Sequence, residues 1–240
     1  TGTTRLSDVT MNLHSRAQCL VVGLLIVASC GESSSSDPSL TSVDTVRIVD
    51  AAVQIVADGC RSADVHGAGM MIAEGRVATV AHVVAGATHI EVRSASGAAE
   101  ATVVYFDPIL DVALLKVDAG LATPIDIGTA AAGDHGRVIV YRDDAPVELT
   151  ADIQRLVDIR TADIYGEGKH LRPGYELAMN PEVGDIRAGD SGAVVVVDDE
   201  AVALVWATSR QAEGRAWAMR TSLLAEHLAL GTPVGNGSCA

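Results

Sequence analysis

Aromatic residues are nearly missing from this chain: one Phe, two Trp and four Tyr stand among 240 residues. A core built from it must be aliphatic, filled by the Val, Ala, Leu and Ile that dominate its 48% hydrophobic fraction. Basic residues are also few. Seventeen Lys and Arg face 31 Asp and Glu, a formal net charge of -14, and no block of Lys or Arg stands out. Nucleic acid is excluded as a partner, because neutralising phosphates requires a basic face. The acidity fits a soluble, exported protein. Metal-ligand spacing is lacking too. His66, His89, His135 and His170 form neither an HExxH pair nor a paired spacing with cysteines, so no metal is implied. The stretch "GEGKH" (166–170) lacks the first glycine and the Ser/Thr of a phosphate loop, and no cofactor is expected. A serine hydrolase of the α/β type needs Gly-x-Ser-x-Gly with Asp and His downstream. Ala193 breaks that motif, and only His227 follows.

What is present begins at Met11. "MNLHSRAQCLVVGLLIVASC" supplies a positive charge at Arg16 and an apolar run from Cys19 to Val27. That run falls well short of the about 20 residues a membrane span needs, and it has the shape of a secretory signal. Its end, Val27-Ala28-Ser29-Cys30, has the pattern of a bacterial lipobox, in which the cysteine is lipidated and anchors the protein to a membrane. The alternative is an ordinary signal cut near Ser29. Residues 1–10 read as a non-native upstream segment, 11–29 as the signal peptide and 30–43 as a Ser-rich tether ("GESSSSDPS") too polar to bury a core. The expected location is the cell envelope or periplasm. Cys60 and Cys239 then remain as an even pair in an oxidising compartment. They form either a disulfide closing a loop of about 180 residues, for which chain entropy gives about 5 kcal/mol, or two free thiols.

From residue 44 to 240 the pattern is one of short strands. Runs such as "VQIVA", "DVALLKVD", "GRVIVYR" and "GAVVVVDDEAVALVWATS" alternate with Gly, Asp, Ser and Pro turns. Val-rich runs at this spacing predict an all-β antiparallel barrel or sandwich. "VDDEAV" (Val197 to Val202) reads as a hairpin turn. "SLLAEHLAL" (Ser222 to Leu230) predicts a short C-terminal helix, and Asp44 to Ala52 a short leading one.

Three stretches carry chemistry together. "VATVAHVVAG" places His82 after an apolar strand, "DPILDVALLKVD" places Asp111 before another, and "RAGDSGAVVV" places Ser191 in a Gly-rich turn. A serine hydroxyl is a poor nucleophile until a base takes its proton. His82 is the candidate base, and Asp111 the group that orients the imidazole and stabilises its charged form. The backbone N–H groups of Gly189 and Ser191 are candidates for an oxyanion hole.

These segments resemble those of chymotrypsin-fold (S1 clan) bacterial serine proteases of the HtrA/Deg-like group, and most of all the MarP-type periplasmic proteases. "GAGMMIAEGRVATVAHVVAGATHIEV" corresponds to the group's histidine segment and "ATVVYFDPILDVALLKV" to its aspartate segment. "DIRTADIYGEG" resembles a loop of the MarP type. The resemblance covers roughly residues 44–230. It implies two six-stranded antiparallel β-barrels with the active site between them, a serine endopeptidase acting on protein or peptide substrates, and a disulfide at Cys60 and Cys239. An acid six residues before the serine, here Asp185, lies at the base of the primary pocket in trypsin-like enzymes; as an alternative, Asp185 is a solvated turn residue. Val205, Trp206 and Ala207 are the expected substrate-pairing strand, with Trp206 equally readable as core. The sequence departs from the group at Val80, in "VIVYRDDAPV", and at Ala193 and Val194, where Gly and Pro are usual. An added methyl at residue 193 strains the turn if φ is positive there. The rival reading is a weak or inactive protease-fold lipoprotein that binds peptides or an envelope partner.

Overall fold

The computed structural model describes residues 48–60, 62–117, 120–209 and 211–240. The signal segment, Cys30 and the tether lie outside the described residues. Residues 48–51 are helical, and the chain then runs directly into strand β1 (Ala52–Asp58), so the leading helix ends where the alternating apolar run begins.

Two curled antiparallel sheets follow. The first is built from β1, β2 (Val65–Ala73), β3 (Arg76–Thr79), β4 (His89–Ser94), β5 (Gly97–Glu100), β6 (Thr102–Asp107) and β7 (Val112–Lys116). Its spatial order is β5-β4-β1-β2-β3-β7-β6. The second is a closed barrel of β8 (His135–Arg142), β9 (Ala145–Thr161), β10 (His170–Met179), β11 (Val194–Val197), β12 (Glu200–Thr208) and β13 (Arg215–Arg220), in the order β10-β13-β12-β11-β8-β9. The chymotrypsin architecture expected from the sequence is therefore present. The first sheet has seven strands instead of six, because residues 97–100 fold back on β4 as a short edge hairpin.

The cores are aliphatic, as the lack of aromatics requires. Val53, Ile55, Met70, Val77, Leu114 and Leu115 fill the first sheet, and the same cluster continues into Ile139, Val194 and Leu204 of the second. A second cluster, with Val138, Leu149, Leu177, Val195 and Val205, fills the barrel interior. Each such side chain contributes about 1.5–3 kcal/mol on full burial. Acidic residues serve as turn makers. Asp143 and Asp144 (φ 52° and 59°) join β8 to β9, and Asp198 and Asp199 (φ 48° and 64°) join β11 to β12. Two-residue hairpin turns of type I′ take positive φ at both central positions, and Asp tolerates it. The second pair is the expected "VDDEAV" hairpin.

The expected C-terminal helix is shorter than the sequence pattern, a 3₁₀ helix over Thr221–His227. Buried Thr221 bonds its hydroxyl to Ala201 O, which pins the start. Gly231 and Pro233 follow closely, and the chain leaves in an extended path. That tail returns to the first sheet. Val234 N donates to Val103 O (2.9 Å), and Cys239 forms a disulfide with Cys60, Cα–Cα 5.5 Å. Among the described residues, no helix is long and apolar enough to cross a membrane.

Candidate active site

Strand register brings His82 and Asp111 together. β3 and β7 pair antiparallel with Thr79 opposite Ala113. The residue three positions past Thr79 and the residue two before Ala113 must then meet at one end of the sheet. His82 sits in a single helical turn, α1 (Ala81–Val84), whose apolar neighbours Ala81, Val83 and Val84 are buried. Its Nδ1 lies 2.9 Å from Asp111 Oδ2 and 3.1 Å from Oδ1, and its backbone N–H donates to Oδ1 at 2.9 Å. A carboxylate only accepts, so Nδ1 carries the proton and Nε2 is left free to take one.

Asp111 is 2% exposed and adopts a left-handed backbone (φ 62°), which a non-glycine residue holds only when its surroundings fix it. Two devices fix it. Asp107 Oδ1 accepts from Ile109 N (2.8 Å) and Leu110 N (2.9 Å), shaping the turn. Arg172 of β10, 3% exposed, donates from Nε to Ile109 O (2.6 Å) and places Nη1 3.6 Å from Asp111 Oδ2. Burial pushes the Arg172 guanidinium below its ordinary range, while Asp111, Asp163 and Asp107 oppose that shift. It stays a cation at any working pH.

The tail secures the His82 helix from its other end. Asn236 Nδ2 donates to Val84 O (2.7 Å) and Ala87 O (2.9 Å), and Asn236 O accepts from Gly86 N (3.0 Å). Gly86 has φ 66°, and a Cβ there would lie 2.6 Å from Cys60 Sγ and from Cys239 N.

Ser191 approaches from the second barrel. Its carbonyl accepts from Ala68 N at 2.7 Å, and Gly192 N donates to Val205 O at 2.8 Å. A Cβ on Gly67 would lie 2.7 Å from Val83 Cγ2 and 3.0 Å from Ser191 O, so the His82 helix and the serine turn crowd the same glycine. At Gly192 (φ 86°) a Cβ would come within 2.0 Å of Ala68 O. Among the described residues, Ser191 Oγ makes no hydrogen bond. No hydrogen bond joins it to His82 Nε2. Gly189 N and Ser191 N are likewise uncommitted, whereas Asp190 N donates to Arg187 O (3.1 Å) and Ala193 N to Asp190 O (2.9 Å). The two candidate oxyanion donors are thus free of bonds within the turn, as is Ala188 N.

The turn owes its shape to a residue that the sequence pattern did not single out. Asp190, 1% exposed, accepts from Arg142 Nη2 at 2.6 Å and from Arg187 N at 2.9 Å. Arg142 Nη2 also donates to Asp185 O at 2.6 Å. The departure "VYRDDA" therefore supplies a cation that props the serine loop. The departures at residues 193 and 194 fit as well. Ala193 is fully buried and is not among the residues at positive φ, so its methyl meets no strain. Val194 begins β11, paired with Leu204 and Ile139.

The substrate-side residues lie in different settings. Val205 N donates to Ala193 O (2.8 Å) and Val205 O accepts from Gly192 N, so its N–H is committed within the fold while its carbonyl keeps a second lone pair. The edge that runs beyond β11 begins at Trp206, at a bulge between Val205 and Ala207, and reaches Thr208. Trp206 packs against the core cluster, as one of its two readings had it, and lies under Arg172, whose Cζ is 5.0 Å from its ring centroid. Asp185 is exposed and lines a cavity of about 450 Å³ with Met179, Glu213 and Arg215, whose lining includes neither Ser191 nor Trp206. Its Oδ1 caps Ile186 N at 2.7 Å.

Comparison with known proteins agrees with this geometry. Residues 67–204, more than half of the chain, match the family model described as a trypsin-like peptidase domain. Serine protease Rv3671c of Mycobacterium tuberculosis is 28% identical over 217 residues, 86% of this chain and 53% of that protein. The chain spans about half the length of the curated relatives it matches. The crystal structure of the Rv3671c protease in its active form aligns with a TM-score of 0.74 at 26% identity, covering 82% of this chain and 88% of that one. The inactive form gives 0.66 at 26%, covering 82% and 97%. The HtrA-type protease AlgW, with a decapeptide, shares the fold (TM-score 0.62, 18% identity, 77% of this chain and 65% of that one). The resemblance to HtrA-like bacterial proteases read from the sequence is borne out.

Proposed function

We propose, on the premise that the chain belongs to the trypsin-like peptidase domain family, that it is a serine endopeptidase working through His82, Asp111 and Ser191. The observation that carries the reading is the double hold of Asp111 on His82, through the ring and through the backbone N–H. It fixes the tautomer that a general base needs. Ser191 Oγ attacks the scissile carbonyl as His82 Nε2 takes its proton. The developing oxyanion is received by Gly189 N–H and Ser191 N–H, each worth about 3 kcal/mol in the transition state. The leaving amine takes the proton from His82, and water then repeats the sequence to release the acid. Protein or peptide chains are the substrate class, pairing along Trp206 to Thr208 as an added strand.

The proposed setting is the cell envelope, with the protein anchored by lipid on Cys30. Support comes from the lipobox pattern of residues 27–30 and from the Cys60–Cys239 disulfide, which belongs to an oxidising compartment. Mass spectrometry of the protein isolated from membranes tests the anchor: a diacylglyceryl cysteine at residue 30 is expected, and a mature chain beginning elsewhere overturns it.

Fluorophosphonate labelling of the mature domain, beside its Ser191→Ala variant, tests the activity. Labelling that vanishes in the variant is expected. A folded, disulfide-bonded sample that stays unlabelled moves the protein to the rival class, a protease-fold module that binds peptides without cutting them.

A further inference from the structure

Arg172 belongs to none of the motifs, lies on the opposite barrel from Asp111, and is the most deeply buried cation described. Its surroundings are specific. Nε donates to Ile109 O in the turn before Asp111, and Nη2 donates to Ala162 O (3.0 Å) at the base of the β9–β10 loop. Nη1 faces Asp111 Oδ2 at 3.6 Å, and the guanidinium plane lies over Trp206. The charged groups facing it are Asp107 and Asp111 from the β6–β7 turn and Asp163 from the β9–β10 loop. That loop touches the same turn independently, through Ile164 N to Pro108 O (3.1 Å). The β9–β10 hairpin thus reaches across the groove between the barrels and grips the aspartate turn with a charge and two hydrogen bonds.

A cation buried here is costly unless it does something a methionine cannot. We propose that Arg172 is a positioning residue: it fixes the Asp111 carboxylate against His82 and sets a positive charge beside that pair, while its seat on Trp206 ties the carboxylate to the substrate-pairing strand. The proposal rests on the serine endopeptidase reading. Its chemical consequence has a sign. Removing a positive charge beside the pair should move the acidic limb of the inactivation profile to higher pH.

The test is the pH dependence of fluorophosphonate inactivation, as kinact and KI, for the parent domain, Arg172→Met and Arg172→Lys, with folding checked by circular dichroism. In Arg172→Met, kinact is expected to fall about 10- to 100-fold and the acidic limb to move up by about half to one pH unit, with KI unchanged. In Arg172→Lys, which keeps the charge but not the fork of donors, the limb is expected to stay while kinact falls less. A folded Met variant whose limb does not move overturns the proposal, even if its rate drops, because packing alone accounts for a drop. Should the Met variant not fold, the Lys variant decides: a lower kinact with the limb in place supports the proposal, and a parental kinact or a displaced limb overturns it. A parent that is not labelled at all overturns the endopeptidase reading and this proposal together. A labelled parent with insensitive variants overturns this proposal alone.

Discussion

The two barrels build their halves of the site in different ways. The first holds His82 and Asp111 by register: β3 and β7 pair, and the residues just past their ends have to meet. Apart from Asp111, the buried polar residues of that sheet are the uncharged Gln54 and Thr79. The second barrel buries charge freely. Asp190 meets Arg142, Glu176 meets Arg155 and Arg215 at 2.6 Å each, and Arg172 reaches out of the barrel altogether. The reason lies in what each must present. A base held beside a strand end needs only a ladder of backbone bonds. A serine in the irregular stretch between Met179 and Val194 has no ladder, and ion pairs must give it a shape.

The contrast can be broken most sharply at Asp111. Asp111→Asn keeps the size and the bond from His82 N but invites the wrong imidazole tautomer. Fluorophosphonate labelling should slow by about ten-thousand-fold, and the thermal midpoint should fall as buried Arg172 loses a counter-charge. Next is Arg142→Met, which leaves the Asp190 carboxylate buried without its cation, held only by Arg187 N. Denaturant titration should show a loss of about 3–5 kcal/mol, and labelling should fall by about a hundredfold. Adding Asp190→Leu should return most of the stability but not the labelling, since an apolar pair restores packing without steering the turn. Retained labelling in the double variant would mean that the ion pair serves stability only. Asn236→Ala removes two bonds from the end of the His82 helix and should cost about 1–3 kcal/mol and a few-fold in rate, a measure of how far the first barrel relies on the tail. Glu176→Gln, remote from the site, should lower stability alone.

The smallest effect is a matter of alkaline pH. Burial raises the Tyr141 hydroxyl above its usual 10.0, and burial with Asp107 does the same for Tyr105. The unfolded chain then loses these protons first. Stability is whole below about pH 10 and is lost as pH rises through the folded-state values. Tyr141→Phe gives up the bond to Ala52 O (3.2 Å), which links the barrels, yet it should flatten the alkaline decline in melts followed from pH 9 to 11.

Short-range signals were legible in the sequence. Alternating Val and Ala marked the strands, two aspartates marked a hairpin, and His82, Asp111 and Ser191 each stood in a telling local frame. What depended on distant meetings was not. Arg142 and Asp190 are 48 residues apart, and a basic residue before an Asp-Asp turn carries no mark of a buried role. Arg172 looks like any strand residue before a proline. The bulge between Val205 and Ala207, invisible in composition, decides which backbone groups of that strand point outward. The helical spacing of residues 222–230 was real, but a pinned start and the Gly and Pro beyond it left room only for a tighter turn.

The disulfide has a topological meaning for a protein that works among cut chains. It joins residues 179 apart, so nearly the whole domain is a covalent ring closed at Cys60 and Cys239. A single scission in any surface loop opens the ring without freeing a fragment, and the two pieces stay tethered at the place where the tail fastens the His82 helix. One nick costs the domain its continuity but not its cohesion; two are needed to take it apart.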